Sequence, residues 1–94
     1  MTSEENRIWL DGHGFSCVDG EWRRVRDGID VEVWSAGSGW TALLNNGHAR
    51  VGAHSESAQS AVRSAAEAAM RQIGGKINVL KKARERLDRL REER

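Results

Sequence analysis

The sequence predicts an α+β fold: an antiparallel meander of three to four short strands covered by an alanine-rich helix. A short helix precedes the meander and an amphipathic helix follows it. Three observations carry this expectation. Between Glu21 and Gly52, short strand-forming runs are broken by Asp27-Gly28, by the Ala36 to Gly39 loop and by Asn45-Asn46-Gly47. At each break glycine or asparagine takes the positive φ of a tight hairpin turn without a Cβ clash. Within the runs, Ile29, Val31 and Val33 alternate with Asp30, Glu32 and Trp34, so one face of the ribbon is aliphatic. After Gly52 the apolar period lengthens from two to between three and four, as for a helix lying on a sheet.

Taken in order, Ser3 followed by Glu4 and Glu5 reads as a helix start, a hydroxyl accepting from early amides and carboxylates favouring the positive end of the dipole. Ile8, Trp9 and Leu10 give this helix an apolar patch before Gly12 and Gly14 stop it. Two turns are marginal alone, so Trp9 is expected to anchor them to the sheet. Phe15 to Val18, closed by Asp19-Gly20, reads as a first short strand and turn.

Strand Glu21 to Arg26 puts Trp22, Arg24 and Arg26 on one side and Arg23 and Val25 on the other. A one-residue slip would exchange the two sides. With Val25 set inside alongside Ile29, Val31, Val33, Leu43, Ala49 and Val51, the opposite face carries Trp22, Trp34, Trp40, Arg24, Arg26 and Arg50. These six are the expected partner-binding residues, because tryptophan and arginine offer large contact area with a polar handle.

Ser55 or Ser57 can cap the next helix, whose apolar stripe is Ala58, Val62, Ala65, Ala69 and Ile73, flanked by Ala61, Ala66 and Met70. Alanine lets a backbone lie close to the sheet while burying little apolar area per residue. Gly74-Gly75 is expected to end this helix with a left-handed cap. From Lys76 to about Glu92 a final helix carries Ile77, Leu80, Ala83, Leu87 and Leu90 on one narrow stripe, with Glu85 and Arg89 spaced for an i,i+4 pair. Ile77, Leu80, Leu87 and Leu90 are therefore the expected residues of a helix contact, made within the domain, with a second copy, or in a partner's groove. The organisation is a single domain, with a strand-rich body and covering helix over 1–75 and a basic amphipathic helix over 76–94.

Size and composition narrow the function classes. At 94 residues, 38% hydrophobic and 31% charged, the chain can bury one core. No apolar run is long enough to span a membrane, and the start, MTSEENRIWLDG, lacks the apolar stretch of a signal peptide. The expected location is the cytoplasm. Net charge is +1, but residues 76–94 hold eight Lys/Arg against four Asp/Glu while residues 1–75 hold seven against ten. A basic tail on an acidic body suits an anionic partner or a solvated helix.

Catalytic, metal and cofactor chemistry find no recognisable pattern. His13 and Cys17 stand four apart across Gly14, without a motif for an orienting carboxylate or an oxyanion hole. The lone Cys17 and scattered His13, His48 and His54 do not make a zinc spacing. Gly12, Gly14, Gly37 and Gly39 lack the GKS or GKT of a phosphate loop. The chain is expected to be non-enzymatic.

The segment GWTALLNNGHARVGAHSESAQSAVRSAAEAAMRQI, from Gly39 to Ile73, resembles short phage and mobile-element proteins in which a hairpin runs directly into an alanine-rich helix, including some anti-CRISPR inhibitors. The likeness is one of pattern. It implies a small protein-binding module, an inhibitor that works by occupying a partner's surface. Two alternatives stand beside it. Three strands plus a helix resemble phage integrase amino-terminal domains and a class of plant DNA-binding domains, which implies double-stranded DNA binding through the sheet, with Trp22, Arg24, Arg26, Trp34 and Arg50 in the contacting role. Against this, Asp27, Asp30 and Glu32 sit among them. The body also resembles HicB antitoxins, which implies a regulatory dimer, although the proline of their strand signature is missing here.

Overall fold

The computed structural model describes residues 2–74 and 81–94. Its order is α1 (Ser3–Gly12), β1 (Ser16–Val18), β2 (Glu21–Arg26), β3 (Ile29–Ala36), β4 (Gly39–Asn45), β5 (Arg50–Ser55), α2 (Ala58–Ile73) and α3 (Lys81–Arg91). The strands form one antiparallel meander in the order β1-β2-β3-β4-β5, one strand more than the upper expectation. The α+β class, the covering helix and both terminal helices are as expected.

The turns set the register. Asp19 and Gly20 join β1 to β2, and Asp27 and Gly28 join β2 to β3, with positive φ at all four positions. That is the type I′ geometry whose twist matches the flanking strands. A two-residue turn pairs the residues on either side of it, so Arg26 faces Ile29, Arg24 faces Val31 and Trp22 faces Val33. Gly37 and Ser38 likewise pair Ala36 with Gly39 and Ser35 with Trp40. Between β4 and β5, Asn46 Oδ1 accepts the amides of His48 and Ala49 at 3.0 and 2.8 Å, an Asx-type closure of the loop.

Directly paired residues share a face, and this corrects the expected sorting. Trp22, Arg24, Arg26 and Trp40 lie on the same side as Ile29, Val31 and Val33, under the helices. Val25 points the other way and is 65% exposed. In β4 the inward residues are Ala42 and Leu44, both fully buried, and Leu43 is on the outside. Ile29, Val31, Val33, Ala49 and Val51 are buried as expected.

α2 covers β3, β4 and β5 through the expected stripe, with Ala58, Ala61, Val62, Ala65, Ala66, Ala69 and Ile73 buried. Ser57 is its N-cap, accepting from Ser60 N at 3.1 Å. Its first amide, Ala58 N–H, donates to Asn6 Oδ1 of α1 at 2.6 Å, so a buried side chain satisfies an orphan donor of a distant helix. Thr2, rather than Ser3, caps α1: Thr2 Oγ1 accepts from Glu5 N and Glu5 Oε1 from Thr2 N, each at 3.1 Å. The two hydrogen bonds form a capping box. Hydrogen bonding to the Glu5 carboxyl by the Thr2 backbone amide, the larger cause, and by the Thr2 side chain holds it below its ordinary pKa. α1 packs against α2, and Trp9 stacks on His13 with centroids 4.2 Å apart.

Gly74 closes α2 in right-handed rather than left-handed geometry; Gly75 lies outside the described residues, as do Ile77 and Leu80 of the expected helix contact. α3 lies against α2, burying Leu87 and Leu90, so these two residues make their contact within the chain. Arg91 pairs with Asp88, whereas the expected Glu85–Arg89 pair is not among the ion pairs of the described residues.

Candidate functional site

All three helices lie on one side of the sheet, and the register lays out what the other side presents. Three rows cross it: Ser16, Arg23, Glu32, Leu43 and Gly52; Val18, Glu21, Trp34, Thr41 and His54; Val25, Asp30, Asn45 and Arg50. No residue in these rows is buried. Val18 and Val25 are 69% and 65% exposed, and Trp34 and Leu43, diagonal neighbours across β3 and β4, are half-buried.

A shallow groove of about 820 Å³ crosses this face between β1, β2 and β3, lined by Val18, Glu21, Arg23, Val25 and Glu32 among others. Arg23 reaches diagonally to Asp30, donating through Nε at 3.0 Å and Nη2 at 2.7 Å. These hydrogen bonds to Asp30 raise the Arg23 pKa above its ordinary value. With Arg23 engaged, Asp19, Glu21 and Glu32 are the carboxylates lining the groove, and none of them takes part in an ion pair among the described residues. The open face is therefore a mixed surface, with Val18, Val25, Trp34 and Leu43 dispersed among polar and charged side chains and Glu32 on its central strand.

Of the six expected partner-binding residues, only Trp34 and Arg50 are on this face, and Arg50 is at the start of the outermost strand. Trp40 is buried at 6% exposure, and Trp22 packs half-buried against the core. Arg24 is 8% exposed and fully engaged: its guanidinium donates to both carboxylate oxygens of Glu93 at 2.8 Å and to His13 O at 2.9 Å. It also sits over the Phe15 ring, 4.9 Å from the centroid. Arg26 is half-exposed, 3.7 Å from Glu93. Trp22, Trp40, Arg24 and Arg26 thus lie on the helical side of the sheet, and the exposed Val18 and Val25 with the half-buried Leu43 take their place on the open one.

Two of the candidate chemical groups, His13 and His54, have structural partners. His13 Nδ1 is 2.7 Å from Trp9 O and Nε2 is 2.7 Å from Arg94 O; His54 Nδ1 is 2.9 Å from Thr41 Oγ1. Cys17 is exposed on the edge strand opposite Trp22. Among the described residues no three or more His, Cys, Asp or Glu side chains come together to hold a metal ion, and no helix is long and apolar enough to cross a membrane. Compared with known proteins, the chain matches no family model, no curated sequence and no solved structure.

Proposed function

We propose that this chain is a small protein-binding module whose uncovered sheet face is the docking surface, acting by occupying a surface of its partner. The observation that supports this reading is the one-sided packing: three helices share one face of a five-stranded sheet, and the other presents Val18, Val25, Trp34 and Leu43 to solvent. An uncovered face with aromatic and aliphatic anchors is a characteristic interaction surface. The carboxylates of Glu21 and Glu32, interspersed among these anchors, favour a partner patch in which Lys or Arg accompanies apolar side chains. Sheet-mediated DNA binding finds less support, since Arg24 and Arg26 lie on the covered side and the open rows hold three carboxylates against two guanidiniums. Inhibition by occupancy, as the likeness to phage-type proteins implies, needs only this surface and no catalytic group.

Site-specific photo-crosslinking tests the proposal whatever the partner's identity. A photoreactive phenylalanine analogue at Val25 or Val18 is expected to give one discrete protein adduct in cells, lost on Trp34→Ala and absent with the same group at Lys82 on α3. No adduct from the open face, or equal adducts from both sides, would overturn it. Mass spectrometry of the adduct distinguishes a second copy of this chain from a foreign protein.

A further inference from the structure

On the helical side, away from the open face, a cleft of about 210 Å³ lies between the β2–β3 turn and α3, with Arg26, Arg86 and Arg89 around it. Arg24 and Glu93 form its floor and neutralise one another through two charge-assisted hydrogen bonds of 2.8 Å. Arg26 stands 3.7 Å from the same carboxylate, whose oxygens Arg24 already occupies. Arg86 and Arg89 join no ion pair among the described residues. What remains is three guanidiniums against the single carboxylate of Asp27 at the rim.

The arrangement is set by backbone as well as by side chains. The Arg86 guanidinium lies across Gly28, where a Cβ would sit 3.4 Å from its Nη1, so the turn leaves room for the cation. Arg86 and Arg89 are three apart on one flank of α3, and Lys82, a further turn back at i−4 from Arg86, continues the same flank. Three guanidiniums lining one cleft offer more donors than the Asp27 carboxylate can accept, and a phosphate group brings three or more acceptor oxygens suited to bidentate pairing.

We infer that the Arg26–Arg86–Arg89 cleft is a phosphate-binding site, filled by a free phosphate compound or by the phosphodiester backbone of a nucleic acid. Binding relieves the repulsion among the three cations, so it also raises thermal stability. This site is independent of the protein-docking face, and either can fail without the other.

Two probes test it on the full chain at low ionic strength: sodium pyrophosphate, followed by backbone amide resonances of Gly28 and Ile29, and a fluorescein-labelled short DNA duplex, followed by anisotropy. At least one probe is expected to saturate, with a rise in the unfolding midpoint. The double variant R86E/R89E should weaken binding by about tenfold or more, and K81E/R84E, with the same change in net charge on the same helix, should retain it. Arg26→Gln approaches the cleft from the sheet and should lose binding without altering α3. Saturation by the duplex alone assigns the phosphate to a nucleic-acid backbone, and saturation by pyrophosphate assigns it to a small phosphate ligand. No saturable response to either probe, or equal loss in both double variants, would overturn the inference.

Discussion

Arg24 is the residue whose role changes most between chain and fold. In the sequence it is one cation of a basic strand; in the structure it joins β2, the α1–β1 loop and the end of the chain through Glu93, His13 O and Phe15. Removing one partner of a largely buried charge pair leaves the other uncompensated. Arg24→Ala should therefore cost about 3 kcal/mol in urea unfolding, far more than an exposed arginine. Asn6 is a quieter case. Asn6→Ala strands the Ala58 amide and should cost about 2 kcal/mol by the same measurement, whereas replacing exposed Arg7 should not. Glu5 makes a pH-dependent contribution of definite sign. Its carboxyl is held below the ordinary value by Thr2, so the stability it adds is fully present above that ordinary value and is lost as pH falls through the lowered one. The stability difference between the parent and Glu5→Gln should be constant near neutrality and shrink in acid, which denaturation at a series of pH values measures.

Among the elements, turn chemistry carried most of the information. Asp19-Gly20, Asp27-Gly28, Ala36 to Gly39 and Asn45-Asn46-Gly47 mark all four strand connections, and the alternation in β3 identifies its buried face. The misplacement of Trp22, Arg24 and Arg26 had a readable remedy: a two-residue Asp-Gly hairpin obliges Arg26 and Ile29 to share a face, which sends Val25 outward. Apolar character favoured putting Val25 inside, and register prevailed because the whole strand moves as a unit. The same reasoning explains Val25→Thr, expected to change stability by less than about 0.5 kcal/mol. Gly39 is constrained for a different reason. A Cβ there would lie 2.3 Å from Ser55 O on β5, so Gly39→Ala should cost about 2 kcal/mol by forcing β4 and β5 apart, with a lower midpoint in thermal melts. Sequence inspection treats Gly39 as a turn residue, because a close approach between strands sixteen positions apart has no local signature.

Across the protein as a whole, charge and packing are both one-sided. The helices, the cationic flank of α3 and the Arg24–Glu93 pair occupy one side; the other is a bare sheet on which apolar side chains and carboxylates are interspersed. The proposed docking face and the proposed phosphate site would differ in what drives them, the first by apolar burial and weakly sensitive to salt, the second by phosphate and strongly sensitive to it. Measuring each interaction between low and physiological salt should therefore separate them, with the open-face adduct persisting and phosphate binding falling away. The order of residues was enough for the α+β class, the turns, the aliphatic face of β3 and the alanine stripe of α2, since all of these arise from local backbone preference and short-range periodicity. It took the folded chain to establish that Leu87 and Leu90 close onto α2, that Arg24 is consumed by Glu93 sixty-nine residues away, and that Val18, Val25, Trp34 and Leu43 share the open side. Those outcomes depend on which surfaces meet, and the meeting of surfaces distant in the chain is set by global packing rather than by any local pattern.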